Sequence, residues 1–260
     1  MGKLILVRHG KTVLNSLDSA ERLRGWMDVP LDEQGLREAG ETAQRLAQYP
    51  VARIYSSDLH RARQTADAVA KATLASIVHT SGLRPWDVGT LAGQRVKDIL
   101  PILQQLELDP SLPAPEGESF LQFCDRYSRK LEELLDIANR SKACIVAVTH
   151  VRNLLAAPAL LHGGDKRHIP VCGGPKTGAL VWVEKNGKGW NLRVDETPEL
   201  AHPVPKPLAS PRFVLGSYEV VRPFGSTRKL TGKPAECFVP FKKRSGLRAC
   251  SQDDRTPAEI

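Results

Sequence analysis

Residues 4–7 read Leu-Ile-Leu-Val and end at Arg8-His9-Gly10. An apolar run without polar alternation fits a strand buried on both faces, as in sheets covered by helices. Placed directly after such a strand (Lys3–Val7), Arg8 and His9 would emerge at its carboxyl end, where α/β proteins put their ligand sites. Strand-like and helix-like segments then alternate through residue 195, the pattern of an α/β domain. Asp32–Gln48 has helical spacing, with Leu36, Ala39, Ala43 and Leu46 expected on one buried face. Ala52–Ser56 reads as a strand, Leu59–Ala72 as a helix and Ser76–Thr80 as a short strand. Leu83–Gly93 is punctuated by Pro and Gly and reads as loop. Ser119 is placed to N-cap a long helix reaching about Asn139, with Phe120, Phe123, Tyr127, Leu131 and Leu134 on one side. Ala143–Thr149 reads as a central strand, Asn153–Leu161 as a helix, and Ala179–Glu184 with Trp190–Val194 as a hairpin.

Composition divides the chain. Nine of the 19 prolines fall in residues 196–260, together with 11 Lys/Arg against 7 Asp/Glu, so this stretch supplies about half of the net charge of +8. It shows little periodicity and reads as a basic, proline-rich, partly irregular extension to a domain spanning residues 1–195. Within it, His202–Pro207 favours extended or polyproline backbone, and Arg212–Val221 could pair as a strand. No apolar run approaches the roughly 20 residues of a membrane helix, and the four apolar residues before Arg8 are too few for a signal peptide. The five cysteines (Cys124, Cys144, Cys172, Cys237, Cys250) are odd in number and widely spaced, which argues against a disulfide framework and a zinc site and fits a reducing cytoplasm.

The tripeptide Arg8-His9-Gly10 is weak evidence alone, since a histidine after a strand is usually structural. Its company changes that. Lys11-Thr12 and Asn15 follow, then Gly25-Trp26-Met27-Asp28-Val29-Pro30-Leu31, Gly35, the segment Tyr55-Ser56-Ser57-Asp58-Leu59-His60-Arg61-Ala62-Arg63-Gln64-Thr65-Ala66, and Val148-Thr149-His150. From Lys3 to Val194, this ordered set resembles the histidine phosphatase superfamily, in its phosphoglycerate-mutase-like branch. The resemblance implies a three-layer α/β/α fold around a central, mostly parallel sheet. It also implies that His9 takes a phosphoryl group, that Arg8 and Arg61 clamp its oxygens, that His150 donates to the same oxygens, and that Asn15 completes the pocket. Guanidinium suits the task, because its charge is permanent and its planar fork matches phosphate oxygens in pairs. His60, His79, His162, His168 and His202 match no position of the motif and are expected to be structural or on the surface.

Three features stand apart from the family pattern or remain open. Aligned on Leu83, Gly89 and Gly93, the family's proton-donating Glu is replaced by Pro85, which has no proton to give, and Asp87 is the nearest carboxylate. Lys11 stands where Glu or Gln is more usual, and either borders the pocket or points to solvent. Pro115-Glu116-Gly117-Glu118-Ser119 with Arg126 resembles an element that frames the pocket, while Ser119 needs no role beyond capping.

Thr12 in Arg-His-Gly-x-Thr is the commoner phosphatase form, and the further substrate-binding motifs of the mutases are not found. Hydrolysis of a small-molecule phosphate ester is therefore expected, with no metal, no cofactor and no membrane partner. A weakly catalytic scaffold, binding an acidic partner or nucleic acid through the basic tail, is the alternative. Phe213, Tyr218, Phe224, Phe238 and Phe241 lie among its basic residues, but they form no recognisable nucleic-acid motif. Retention of Arg8, His9, Arg61 and His150 together disfavours the scaffold, which has no physical need of four phosphate-binding groups.

Overall fold

A computed structural model describes residues 2–15, 22–169, 173–187 and 189–195, together with the backbone of 217–221 and 227–231. The first strand, β1 (Leu4–Arg8), leads through a loop to helix α1 (Glu33–Leu46). Strand β2 (Val51–Ser57), helix α2 (His60–Thr73) and strand β3 (Ile77–Thr80) follow. A stretch of short 3₁₀ turns precedes α3 (Leu100–Leu108). The chain then continues as α4 (Phe120–Arg140), β4 (Cys144–Thr149), α5 (Val151–His162), β5 (Leu180–Asn186) and β6 (Gly189–Asp195). Two further strands, β7 (Ser217–Val221) and β8 (Thr227–Thr231), continue the sheet, whose order is β3-β2-β4-β1-β5-β6-β7-β8.

β3, β2, β4 and β1 run parallel, while β5 pairs antiparallel with β1 and with β6. Alternation along β1 divides the core. Leu4 and Leu6 pack with Tyr127, Leu131 and Leu134 of α4 and Leu154 of α5. Ile5 and Val7 pack with Ala43 and Leu46 of α1 and with Ala62, Ala66 and Val69 of α2. The unbroken apolar run thus reflects two opposite faces, each covered by helices, and the fold is a three-layer α/β/α sandwich.

Most elements lie within a residue or two of the sequence reading, including the hairpin, where Asn186 pairs with Gly189. Ser119 caps α4 through a reciprocal capping box with Gln122. Two features differ. Leu36 is 52% exposed, and α1 instead buries Gly35, Ala39, Thr42, Ala43 and Leu46. The cause is close backbone packing: a Cβ on Gly35 would lie 1.9 Å from the Lys11 carbonyl oxygen, and one on Gly10 would lie 2.3 Å from that of Gly35. This approach turns the Gly35 edge inward and the Leu36 side chain out. The helix α3 has no counterpart in the sequence pattern, because it buries Leu106 but leaves Ile102 and Leu108 exposed and so lacks a clean apolar stripe.

Among the described residues, no helix is long and apolar enough to cross a membrane. Residues 202–207 and 212–216 lie outside the described residues, as do Cys172, Cys237, Cys250 and the side chains of the five tail aromatics.

Candidate active site

β1 and β4 are neighbours in parallel register, with Arg8 opposite Thr149. The next residue on each strand, His9 and His150, therefore falls at the same carboxyl-end position, where the rings meet edge to face with centroids 5.0 Å apart. The His9 N–H donates to the Thr149 carbonyl at 3.0 Å, which ties the turn to the sheet. Nδ1 of His9 lies 2.7 Å from the Gly10 carbonyl oxygen. A carbonyl only accepts, so Nδ1 carries the proton, and Nε2 of the neutral ring carries the lone pair.

The first turns of α2 knit the motifs together. Arg61 is only 1% exposed, and donates from Nη1 to the Met27 carbonyl at 2.7 Å and from Nη2 to the Gly25 carbonyl at 3.0 Å. Gln64 accepts the Leu31 N–H, and Thr65 accepts the Gly10 N–H at 3.2 Å. The Asp28 carboxylate accepts the His60 N–H at the start of α2, which has no side-chain cap of its own. Arg8 donates to the Pro175 carbonyl. The spaced sequence motifs are thus mutual hydrogen-bonding partners around His9.

The charges acting on the two histidines are cationic. Burial, then the guanidinium groups of Arg61, Arg8 and Arg24, hold His9 well below the usual histidine range. Burial, then Arg61, lower His150 in the same way, with further contributions from His9, Arg24 and Arg8. Both rings are therefore neutral at pH 7, the state in which an imidazole nitrogen keeps a lone pair. Burial and the neighbouring Arg24 push Arg61 itself down to about 9, against the opposing pull of Asp28. The gathered guanidiniums favour a bound anion, as phosphoryl transfer demands.

The structure brings Arg8, His9, Arg61 and His150 together, and places the other two expected residues in loops. Asn15 Oδ1 accepts both the N–H and the hydroxyl of Thr12 at 2.9 Å, closing the turn that follows His9. Asp87 lies in the loop after β3, and its Oδ1 accepts the Gly89 N–H at 3.0 Å. The Glu118 carboxylate accepts the Asp87 N–H and pairs with Arg126, whose guanidinium also donates to the carbonyls of Ser81, Gly82, Arg84 and Pro85. The Glu118–Arg126 element thus frames the loop containing Pro85 and Asp87, while Ser119 caps α4. Lys11 is turned to α1 and solvent, its Nζ donating to Gln34 at 2.8 Å. His60, His79 and His162 are exposed, whereas His202 and the His168 side chain lie outside the described residues.

Two residues at the site carry no role in the sequence reading. Arg24 directly precedes the Gly25–Leu31 motif, but only folding brings its charge to His9, His150 and Arg61. Ser57 lies within a quoted motif, and its Oγ is 2.9 Å from His150 Nε2. Its position at the end of β2 was a usable signal, since β2 adjoins β4.

Two neutral histidines and buried guanidinium gathered at the carboxyl end of a parallel sheet are the groups that a phosphoryl-transfer class of enzyme uses. The chain belongs to the histidine phosphatase superfamily (branch 1), whose sequence pattern matches residues 4–196. It is an enzyme of that superfamily. It is 33% identical over 152 residues to probable phosphoglycerate mutase GpmB of Yersinia pestis (strain Pestoides F), covering 56% of this chain and 69% of that protein. Among solved structures, it is similar to mycobacterial glucosyl-3-phosphoglycerate phosphatase Rv2419c in complex with VO3, with a TM-score of 0.64 and 25% identity, covering 75% of this chain and 98% of that one. It is also similar to Bacillus stearothermophilus YhfR, with a TM-score of 0.62 and 26% identity, covering 75% and 96% of the two chains.

Proposed function

We propose that this enzyme hydrolyses a small-molecule phosphomonoester through a phosphohistidine on His9. The observation that carries the reading is the Nδ1 contact of His9 with the Gly10 carbonyl, which leaves Nε2 as the nucleophilic nitrogen. In the first step, the Nε2 lone pair forms the N–P bond while the ester P–O bond breaks, and the leaving oxygen takes up a proton. Arg8, Arg61 and the His150 ring bind the equatorial oxygens as negative charge spreads over them. In the second step, water attacks phosphorus and the N–P bond breaks, returning neutral His9 and releasing phosphate.

Asp87 is the proposed proton donor, held on the loop that replaces the family Glu by Pro85, and Asn15 supports the pocket by closing the Thr12 turn. Two things favour hydrolysis over mutase chemistry: Thr12 beside the Arg-His-Gly motif, and the phosphatase named among the structural neighbours. A cytoplasmic setting is consistent with the free, buried Cys124 and Cys144.

The test is phosphate release from sugar phosphates, nucleotides and phosphorylated amino acids by wild type and His9→Ala, with trapping of phosphoenzyme. The expected result is turnover and an acid-labile phosphoenzyme in the wild type, both lost in His9→Ala. A fully active His9→Ala enzyme overturns the mechanism.

A further inference from the structure

Ser57 closes β2 and His150 follows β4, and these strands are parallel neighbours, with Ser56 opposite Val148. The sheet thereby brings the two side chains together inside the protein, at 0% and 2% exposure. Their contact joins Ser57 Oγ to His150 Nε2 at 2.9 Å. The other ring nitrogen of His150, Nδ1, is buried and has no hydrogen-bond partner. A buried polar atom left unpaired costs about 1–3 kcal/mol, and a phosphoryl oxygen bound beside His9 would supply the missing partner.

The direction of the proton between Ser57 and His150 decides what that nitrogen can offer. A neutral imidazole has one ring proton. With that proton on Nε2, the ring would donate to Ser57 and face a phosphoryl oxygen with the Nδ1 lone pair, which repels it. With it on Nδ1, the ring donates to the oxygen. Ser57 is 0% exposed and its Oγ accepts the Leu59 N–H at 3.4 Å, and among the described residues His150 Nε2 is the acceptor within hydrogen-bond reach of its own proton. Burial and the surrounding arginines keep His150 neutral, so the choice between tautomers is real.

We propose that Ser57 is a positioning residue whose hydroxyl donates to His150 Nε2, holding the ring proton on Nδ1, where it meets a phosphoryl oxygen at His9. This rests on the reading of His9 as phosphoryl acceptor. The two rings then have matched and opposite duties. His9 is anchored at Nδ1 and acts through Nε2, while His150 is anchored at Nε2 and acts through Nδ1.

The test is ¹⁵N NMR of histidine-labelled free enzyme near pH 8, with the His150 signals assigned by their loss in His150→Gln. The expected wild-type spectrum has a protonated Nδ1 and an unprotonated Nε2 at His150. Ser57→Ala should release the proton to Nε2 and lower kcat/KM for p-nitrophenyl phosphate by about 100-fold, the scale of losing one transition-state donor. Ser57→Thr, which keeps the hydroxyl, should restore both the tautomer and most of the rate. A wild-type His150 protonated on Nε2 overturns the proposal, and so does a Ser57→Ala enzyme with unchanged tautomer and rate. Failure of wild type to take a phosphoryl group on His9 would instead overturn the proposed function and the use assigned to the Nδ1 proton. The tautomer is read from the free enzyme in either case.

Discussion

Arg61 shows how one side chain can serve both fold and chemistry. Its two terminal nitrogens hold the Met27 and Gly25 carbonyls, and its charge is the largest single-residue influence lowering His9. Lysine has one terminal nitrogen on a flexible stem and cannot hold both carbonyls in the same fork geometry. Arg61→Lys should therefore lower kcat/KM by about 10²–10³-fold, the scale of losing a preorganised donor, in assays against p-nitrophenyl phosphate. Wild-type kinetics in that variant would show that only the charge matters. Asp87 gives a second residue-level prediction. If it protonates the leaving oxygen, Asp87→Asn should slow an alkyl phosphate by about 10²–10⁴-fold but barely affect p-nitrophenyl phosphate, whose leaving group needs little protonation. Equal effects on both substrates would remove Asp87 from the mechanism.

At the scale of elements, α1 and the loop after β1 meet in close backbone contact, to which the Glu38 carboxylate adds by accepting the Lys11 N–H at 2.8 Å. The Asp32 N–H donates to the Lys11 carbonyl at 3.0 Å, and Gly35 leaves no space for a Cβ against the same oxygen. Gly35→Ala should therefore push the His9 loop from its place, destabilising the protein by about 1–3 kcal/mol in urea denaturation and reducing activity as well. A stable, fully active Gly35→Ala protein would contradict the close approach. The capping box of α4 provides the contrast. Ser119→Ala removes the acceptor of the Gln122 N–H and should cost about 1 kcal/mol, with kcat/KM retained, because Ser119 belongs to the helix cap and not to the His9 cluster.

For the whole molecule, the two neutral histidines make folding pH-dependent. Their folded pKa values lie below the unfolded value, so below about pH 6.5 the unfolded chain binds protons that the native site refuses. Stability should be fully retained above that pH. It should fall as the solution is acidified, by up to about 1.4 kcal/mol per pH unit for each histidine. Denaturation midpoints at pH 7.5 and 5.5 check this, and His150→Gln should flatten the dependence.

The alternation of apolar runs with amphipathic segments was enough to read the α/β layers, and the ordered motifs were enough to single out Arg8, His9, Arg61 and His150, which the fold brings together. These are local signals, written in residue type and spacing. The exposed Leu36 and the helix α3 were not legible, because the first depends on two glycines meeting across a turn and the second on burial of a single leucine. The sequence by itself determined which residues stand at the ends of β1 and β4 and which chemical groups they carry. Only the tertiary structure decided which nitrogen of each histidine is anchored, that Arg24 joins the cluster and that Lys11 leaves it. Those outcomes depend on hydrogen bonds and charges from strands and loops far apart in the chain, and no local pattern records them.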